Sequence, residues 1–230
     1  LKAFLENTEF HGINVTIPYK KDVIPYCTEL SPIAQKLGAV NTIVRRANGT
    51  LVGHNTDYFG FQSTLERTGI SVNSKKVLLL GSGGAAVTVN AVLQEQGAKV
   101  VMVSRNGINN YDNISLHSDA SLLVNATPVG MYPNNGESPV DLSLFPCLEG
   151  VIDLIYNPAR TKLLLDAENR GLITQNGLWM LVAQAKESAQ WFCGKEISND
   201  FISQIHCKMQ KHMQNIILIF KINLYISKGP

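Results

Sequence analysis

The 230-residue sequence has few of the residues that build metal centres or disulfide frameworks. None of its four cysteines, Cys27, Cys147, Cys193 and Cys207, has the Cys-x-x-Cys spacing of zinc or redox motifs. Its five histidines form no His-Glu-x-x-His motif, so the sequence predicts no metal site. Because scattered cysteines of this kind are typical of reduced thiols, we predict a cytoplasmic protein.

Charge and long apolar runs are also scarce. Charged residues make up 17% of the chain and the net charge is +2, too little to predict binding to nucleic acid or to an anionic membrane. The apolar run at residues 216–220 is far shorter than the roughly 20 residues that span a bilayer. For the tail beyond about Gln204 we therefore expect an extra helix or strand, or a disordered end, and not a membrane anchor. The apolar content of 45% is typical of a globular chain, and the length allows one large or two small domains.

One stretch, residues 76–106, has the pattern of a strand, a glycine turn, a helix and a second strand. The apolar run 77–80 is followed by glycines, a helical pattern and the apolar run 100–103. Gly81 permits a tight turn, Gly83 lets a diphosphate approach the backbone, and small Ala86 lets the helix pack near the strand. Gly-x-Gly-x-x-Ala in this setting predicts a dinucleotide-binding βαβ unit, with an ordinary buried strand-to-helix turn as the alternative.

The second strand of this unit ends in Ser104-Arg105-Asn106. Units that bind NAD usually place Asp or Glu there to accept a hydrogen bond from the ribose 2′-hydroxyl. A cation suits a 2′-phosphate instead, so Arg105 predicts NADP over NAD. The alternative is a solvated arginine at the start of a loop.

A hairpin and a polar corner precede the βαβ unit. Asn48-Gly49 lies between two apolar runs, which is the strongest short signal for a hairpin. Asn55-Thr56-Asp57 follows at once and opens a helix that runs to about Thr68. The three polar residues predict either a corner that faces the substrate or a simple helix cap.

The remaining pattern is that of short elements. We expect a helix at the N-terminus (residues 1–5), a strand from about residue 12 to 17, a loosely helical segment at 22–37 with breaks at Pro25 and Pro32, strands at 121–126 and 151–155, a loop at 132–139, a helix at 161–170 that ends at Gly171, and a helix at 183–192.

Seven segments in this order resemble the shikimate dehydrogenase family. They are GINVTIPYK, GAVNT, GHNTDYFG, GSGGAA, NATPVGM, DLIYNP and NGLWMLVAQA, which together extend from about Gly12 to Gln184. The resemblance implies an enzyme that reduces 3-dehydroshikimate to shikimate with NADPH, in aromatic amino-acid (chorismate) biosynthesis. It also implies an α/β fold of two domains, a Rossmann-type doubly wound parallel sheet and a smaller α/β substrate domain built from both chain ends.

The motifs of the family assign roles to individual residues of this sequence. Lys20 and Asp57 correspond to the catalytic pair, in which Lys20 donates a proton to the carbonyl oxygen and Asp57 holds Lys20. The residues implied to bind the substrate are Thr16, Asn41, Thr56, Tyr156 and Gln184. Those implied to bind NADP are Gly81, Gly83, Gly84, Ala85, Arg105 and Thr127.

The resemblance also suggests where the domains divide. We expect a substrate-binding catalytic domain at residues 1–57 and 177–230, and an NADP-binding domain at 58–176. The family begins with a strand and a Ser-x-Ser loop that this sequence does not contain, so we expect an N-terminal truncation. A quinate/shikimate dehydrogenase of broader specificity, or a fragment that binds cofactor without turnover, are the alternatives. A monomer and a homodimer are both left open.

Overall fold

The computed structural model describes residues 1–16 and 18–227, with side chains up to Met213. In this part of the chain the strands form two separate sheets. The elements are α1 (Lys2–Asn7), β1 (Gly12–Asn14), β2 (Glu29–Leu30), α2 (Pro32–Leu37), β3 (Thr42–Arg45), β4 (Leu51–His54), α3 (Asp57–Thr68), β5 (Lys76–Leu80), α4 (Gly84–Glu95), β6 (Lys99–Val103), β7 (Leu122–Asn125), β8 (Gly150–Asp153), α5 (Lys162–Asn169), β9 (Ile173–Asn176), α6 (Leu178–Cys193) and α7 (Asp200–Ser227).

The first sheet has four strands in the order β1-β3-β4-β2. β3 and β4 form the predicted antiparallel hairpin, and Gly49 at its turn has a φ of 85°, which favours glycine. The predicted strand at 12–17 is shorter, since β1 ends at Asn14, and Ile17 lies outside the described residues.

The segment predicted as loosely helical, residues 22–37, contains a strand. Its first part is a 3₁₀ turn at Ile24–Tyr26, and β2 then pairs in parallel with β4 at the edge of the sheet. The helix α2 begins only at Pro32, where the hydroxyl of Ser31 accepts a hydrogen bond from the backbone N–H of Ala34. The helical prediction was wrong for β2 because the prolines on both sides leave the segment free to pair with β4.

The second sheet is fully parallel, with five strands in the order β6-β5-β7-β8-β9. The chain first adds β6 on one side of β5 and then adds β7, β8 and β9 on the other. Such a reversal creates a crevice at the carboxyl ends of β5 and β7, where ligands bind in doubly wound sheets. The predicted α/β class and the parallel sheet are confirmed. The short polar strand β9 was not predicted.

Both faces of the parallel sheet are covered. Val77 and Leu79 of β5 pack on one side with buried residues of α3 and α4. Leu78 and Leu80 face the other side, against α5 and Phe145. The continuous apolar run of β5 is explained by burial on both faces, as parallel sheets require.

The tail forms the long helix α7 up to Ser227, and residues 228–230 lie outside the described part. Of the two ordered structures predicted for it, a helix or a strand, the helix is the one present. Across the described residues, no helix combines the length and the apolar character needed to cross a bilayer.

Helices α3 and α6 cross closely at Gly60. A Cβ atom at this position would lie 2.9 Å from the backbone oxygen of Met180 and 3.0 Å from Cβ of Gln184. The crossing therefore needs glycine, and it fixes α6 against the helix that begins at Asp57.

Gly60→Ala is expected to lower the free energy of unfolding by up to about 2 kcal/mol. Alanine favours the helix by about 1 kcal/mol, but overpacking against a backbone oxygen costs about 1–3 kcal/mol. Urea unfolding followed by circular dichroism measures the difference. Gly84→Ala is the control, since a Cβ there would meet nothing within 4 Å; a Gly60→Ala protein as stable as this control would contradict the close crossing.

Candidate active site

Lys20 and Asp57 lie in contact. Nζ of Lys20 donates to Oδ2 of Asp57 across 2.6 Å, although the two residues are 37 positions apart. Their side chains are 22% and 15% exposed, so the pair is shielded but can be reached by a ligand. The turn that carries Lys20 is held against the sheet by the bond from the backbone N–H of Val40 to the carbonyl of Lys20, at 2.8 Å.

The start of α3 is stabilised by Asn55 and not by the hydroxyl of Thr56. Oδ1 of Asn55 accepts from the backbone N–H of Tyr58 at 3.3 Å, and its Nδ2 donates to the carbonyl of Ala39 at 3.0 Å. Thr56 occupies the N-cap position without a side-chain capping bond. Asp57 is the first helical residue, where the positive end of the helix dipole favours a carboxylate. Of the three polar residues for which a helix cap was the alternative, Asn55 therefore acts as a cap and Thr56 does not.

The hydroxyl of Thr56 belongs to a buried polar network that joins both chain ends. Oδ1 of Asn41 accepts from the backbone N–H of Thr56 at 2.8 Å, and Nδ2 of Asn41 lies 3.1 Å from the Thr56 hydroxyl. Oγ1 of Thr56 also lies 3.4 Å from Oε1 of Gln184 on α6. Three of the five residues predicted to bind substrate are thus brought together next to Asp57.

The network contains residues that sequence reasoning missed. Ser188 lies within 3.0 Å of the Thr56 hydroxyl and within 2.9 Å of the Thr42 hydroxyl. Nδ2 of Asn14 donates to Ser188 at 2.9 Å. Ser188 follows Gln184 by one helical turn and so shares its face, which is a signal that could have identified it. Asn14 gave no such signal beyond its place in the GINVT segment.

The other two predicted substrate residues are less constrained. Thr16 is exposed, and its carbonyl accepts from the backbone N–H of Tyr19 at 2.9 Å. Tyr156 follows β8 and is 43% exposed. In the described part of the chain neither side chain forms a hydrogen bond with Lys20, Asp57 or the Thr56 network.

The predicted cofactor residues of the glycine turn and Thr127 meet at the crevice between β5 and β7. Gly81 has a φ of 113°, and a Cβ there would lie 3.0 Å from the carbonyl of Ala126 and 3.4 Å from Cγ2 of Thr127. A Cβ at Gly83 or Gly84 would meet nothing within 4 Å, so the backbone there faces open space. Ala85 lies in the first turn of α4, which has no side-chain cap and no acid. Free N–H groups and open space fit the diphosphate of a dinucleotide.

Arg105 lies just beyond the end of β6, the strand that pairs with β5, and its side chain is exposed. Burial raises the pKa of Tyr111, and the positive charge of Arg105 reduces this rise. Among the described residues Arg105 forms no ion pair and no side-chain hydrogen bond, so its guanidinium is available to an anion.

Comparison with known proteins decides the family. Residues 1–43 match the family described as the shikimate dehydrogenase substrate binding domain. The NADP(+) shikimate dehydrogenase of Caldicellulosiruptor bescii is 36% identical over 229 residues, which cover 89% of this chain and 79% of the relative. The chain belongs to the shikimate dehydrogenase family. The enzyme of Alkaliphilus oremlandii with the same name is 38% identical over 85% of this chain and 77% of its own length.

Solved structures of similar proteins share the fold. The chorismate mutase/shikimate 5-dehydrogenase fusion protein from Clostridium acetobutylicum has a TM-score of 0.86, 35% identity, and coverage of 93% of this chain and 82% of its own. The Thermus thermophilus enzyme in complex with NADP(H) and shikimate has a TM-score of 0.77, 32% identity, and coverage of 90% and 81%. Quinate dehydrogenase from Corynebacterium glutamicum in complex with NAD has a TM-score of 0.83, 30% identity, and coverage of 92% and 82%. The predicted family and two-domain fold are confirmed.

Directly before Asn55 in this shikimate dehydrogenase family member, His54 stacks on Trp191, with ring centroids 3.8 Å apart. His54 is 6% exposed, and its Nδ1 has no hydrogen-bond partner among the described residues. Burial, together with the charge of Arg46, lowers the pKa of His54 from 6.5 to about 4. The imidazole is therefore neutral in the folded protein at neutral pH, and the stack ties the end of β4 to α6.

The buried His54 is expected to make the protein less stable in acid. Because its pKa falls from 6.5 to about 4 on folding, the unfolded state binds more protons in that window, and stability declines as pH drops through it. His54→Phe keeps a stacked ring and removes the proton site. We compare the free energy of unfolding of His54→Phe with that of wild type at each pH. As the pH is lowered from 7 to 5, this difference should shift by about 2 kcal/mol in favour of the variant.

The comparison with wild type is needed because Asp153 changes the pH dependence of stability in the direction opposite to His54. Burial raises the pKa of Asp153 to about 6, so its contribution to stability grows as pH falls, and the two effects partly cancel in wild type. Both proteins in the comparison contain Asp153, so its contribution is removed from the difference. Replacement of the exposed His11 by Gln is the control. Parallel pH profiles for His54→Phe and wild type would show that His54 is not buried in its neutral form.

Proposed function

We propose that this chain is an NADP-dependent oxidoreductase that reduces 3-dehydroshikimate to shikimate, with Lys20 and Asp57 as its acid–base pair. The observation that carries the proposal is the 2.6 Å contact between Nζ of Lys20 and Oδ2 of Asp57, beside a buried network of amides and hydroxyls. The curated relatives at 36% and 38% identity carry the name of this NADP-linked activity.

The proposed chemistry follows from the hydrogen-bonding capacity of Lys20. When bound, NADPH supplies the hydride. A lysine ammonium has three N–H donors, and Asp57 takes one of them, which leaves the others for the carbonyl oxygen of the substrate. Lys20 therefore stabilises the negative charge that develops on this oxygen and gives it a proton. Asp57 keeps the ammonium in place and accepts a hydroxyl of the substrate.

The ring of the substrate is assigned to the amides and hydroxyls around Thr56. Asn41, Thr56 and Gln184 bind its hydroxyl groups, and Thr16 and Tyr156 contact it from the more exposed turns. A ligand without matching hydroxyls would leave these buried groups without partners, which is the physical source of selectivity.

The cofactor is assigned to the parallel sheet. The diphosphate lies against Gly81, Gly83, Gly84 and Ala85, where the open backbone and the start of α4 accept an anion. Arg105 binds the 2′-phosphate and Thr127 contacts the cofactor at the crevice between β5 and β7.

We further propose the domain division at residues 1–57 with 177–230, and 58–176. The separation of the four-stranded and five-stranded sheets supports this division. The unpaired thiols of Cys27, Cys147, Cys193 and Cys207 support a reducing compartment, the cytoplasm, as the site of the reaction.

The direct test is an assay of NADPH oxidation by this chain with 3-dehydroshikimate, together with a titration of NADPH fluorescence. We expect turnover that depends on both compounds. Binding of NADPH without turnover would instead support a chain that only binds the cofactor. Absence of binding would reject the proposal as a whole.

A second candidate is a quinate/shikimate dehydrogenase that also uses NAD. The similarity to the quinate dehydrogenase of Corynebacterium glutamicum in complex with NAD favours it. Ser104-Arg105-Asn106 after β6 argues against NAD, because no acid is present to accept from a ribose 2′-hydroxyl. Oxidation of quinate with NAD at a rate near that of shikimate with NADP would select this candidate.

A further inference from the structure

A buried carboxylate that the proposed chemistry does not use lies at the ends of β7 and β8. Asp153 and Asn125 both have no exposed surface. Oδ1 of Asp153 accepts from Nδ2 of Asn125 at 3.0 Å and from the backbone N–H of Ile155 at 3.1 Å, and Oδ2 accepts from the hydroxyl of Thr161 at 2.6 Å. These three donors favour the ionised form, while burial raises the pKa of Asp153 to about 6. At neutral pH Asp153 is therefore an ionised group that only accepts.

The carboxylate fixes which way the Asn125 amide points. Because an ionised carboxylate cannot donate, Nδ2 of Asn125 must face Asp153, and Oδ1 must face the other way. Oδ1 accepts from the backbone N–H of Thr127 at 3.0 Å and from the Thr127 hydroxyl at 2.7 Å. The backbone N–H of Thr127 can only donate, so the orientation set by Asp153 also gives this N–H its acceptor.

The hydroxyl of Thr127 therefore donates its hydrogen to Oδ1 of Asn125. An amide oxygen cannot donate, so the 2.7 Å contact requires the Thr127 hydroxyl to be the donor. Towards any other group this hydroxyl can act only as an acceptor. It accepts weakly from the backbone N–H of Val129, at 3.3 Å, and has a further lone pair free.

Thr127 lies where a dinucleotide would pass. Its Cγ2 would be 3.4 Å from a Cβ atom at Gly81, the first glycine of the turn, and its side chain is half-buried. Phosphate oxygens only accept at neutral pH, so they are poor partners for a hydroxyl whose hydrogen is already used. Sugar hydroxyls and amino groups can donate to it.

We propose that Asp153 is a positioning residue that acts through Asn125 to make the Thr127 hydroxyl a hydrogen-bond acceptor, so that Thr127 binds a donor group of NADPH and not a phosphate oxygen. The inference rests on the proposed function in one respect, that the chain binds NADPH. The diphosphate and 2′-phosphate are then left to α4 and Arg105, and the Asp153–Asn125–Thr127 relay recognises a ribose hydroxyl or amino group.

Titration of NADPH fluorescence with single and double variants tests the relay. Thr127→Val should raise the Kd about tenfold, the usual effect of losing one hydrogen bond, whereas Thr127→Ser should stay within about twofold. Asp153→Asn replaces the carboxylate by an amide that can also donate, which weakens the hold on Nδ2 of Asn125, and should raise the Kd by less than Thr127→Val does. The double variant should bind no more weakly than Thr127→Val alone, because both changes remove the same contact. In steady state the KM for NADPH should rise while kcat changes little.

If Thr127 were a donor to a phosphate, Asp153→Asn would change the Kd for NADPH in the opposite direction. If Thr127 donated to a phosphate, Asp153→Asn would release its hydrogen and lower the Kd, which would overturn the proposal. Wild-type affinity in Thr127→Val, or fully multiplicative effects in the double variant, would also overturn it. Displacement of bound NADPH by 2′,5′-ADP locates the donor group. If Thr127→Val weakens the binding of 2′,5′-ADP as well, the donor group lies on the adenosine half of NADPH. If Thr127→Val weakens the binding of NADPH alone, the donor group lies on the nicotinamide half.

Thermal unfolding of each variant separates lost binding from lost folding. Should Asp153→Asn not fold, the Thr127→Val and Thr127→Ser pair still decides the acceptor role, because this half-buried side chain can be changed without removing a buried charge. Failure of the wild-type chain to bind NADPH would reject the proposed function. Wild-type binding together with an unaffected Thr127→Val variant would reject only the relay.

Discussion

Replacement of Lys20 by alanine is expected to lower kcat on the order of a hundredfold or more, while NADPH binding is retained. The ammonium is the only donor that we assign to the carbonyl oxygen, so its loss removes both the proton and the stabilising charge. Lys20 also lies outside the sheet that we assign to the cofactor, so the Kd for NADPH should not change. Turnover of 3-dehydroshikimate and NADPH fluorescence, measured on the same preparation, give the two quantities.

The neighbouring lysine provides a matched control. Lys21 is exposed and forms no ion pair among the described residues, so Lys21→Ala removes the same charge from the same turn and should keep wild-type turnover. Asp57→Asn should also lower kcat, because the ammonium of Lys20 then loses its charged partner at 2.6 Å. Near-wild-type turnover in a folded Lys20→Ala protein would remove Lys20 from the mechanism.

The second large effect is expected at Arg105. Arg105→Ala should lower the ratio of kcat/KM for NADPH to kcat/KM for NADH by about a hundredfold, since a charge-assisted hydrogen bond contributes about 1.5–3 kcal/mol. The change should come almost entirely from NADPH, because only NADPH carries the 2′-phosphate. The exposed guanidinium has no other partner in the described structure, so stability should be unaffected.

Lys99 offers the control for charge alone. It is exposed at the other end of the same strand, β6, so Lys99→Ala removes one positive charge without touching the end of the strand that we assign to the ribose. Raising the salt concentration should narrow the preference of wild type for NADPH and leave that of Arg105→Ala almost unchanged. Two results would reject the assignment of the 2′-phosphate to this arginine. One is a preference of wild type for NADH, and the other is a ratio of kcat/KM for NADPH to kcat/KM for NADH that is the same in Arg105→Ala as in wild type.

Much of the fold was accessible from local sequence. The glycine turn at Gly81 was predicted from glycines that directly follow an apolar run, and the φ of 113° with the close approach to Ala126 explains why glycine is needed there. The hairpin at Gly49 was predicted for the same kind of reason, as a turn chemistry that depends on neighbouring residues alone. β2 and β9 were missed because short, partly exposed edge strands carry no strong periodicity, and their strand state depends on a distant partner.

The candidate site divides in a similar way. The motif resemblance identified Lys20, Asp57, Asn41, Thr56 and Gln184. In the structure Lys20 lies beside Asp57, and the side chains of Asn41 and Gln184 contact the Thr56 hydroxyl. Ser188 was missed because its only local signal is its place one helical turn after Gln184 on α6. Its importance comes from hydroxyl contacts with residues 132 and 146 positions away.

The α/β class and the glycine turn could be predicted from the chain alone, because backbone sterics and strand and helix periodicity are properties of neighbouring residues, and the family followed from seven motifs in order. The orientation of the Asn125 amide, the neutral state of His54 and the hydroxyl network that joins Thr42 and Thr56 to Ser188 became visible in the three-dimensional fold. Each of these depends on burial and on partners far away in the chain, and hydrogen-bond direction and pKa respond to those surroundings.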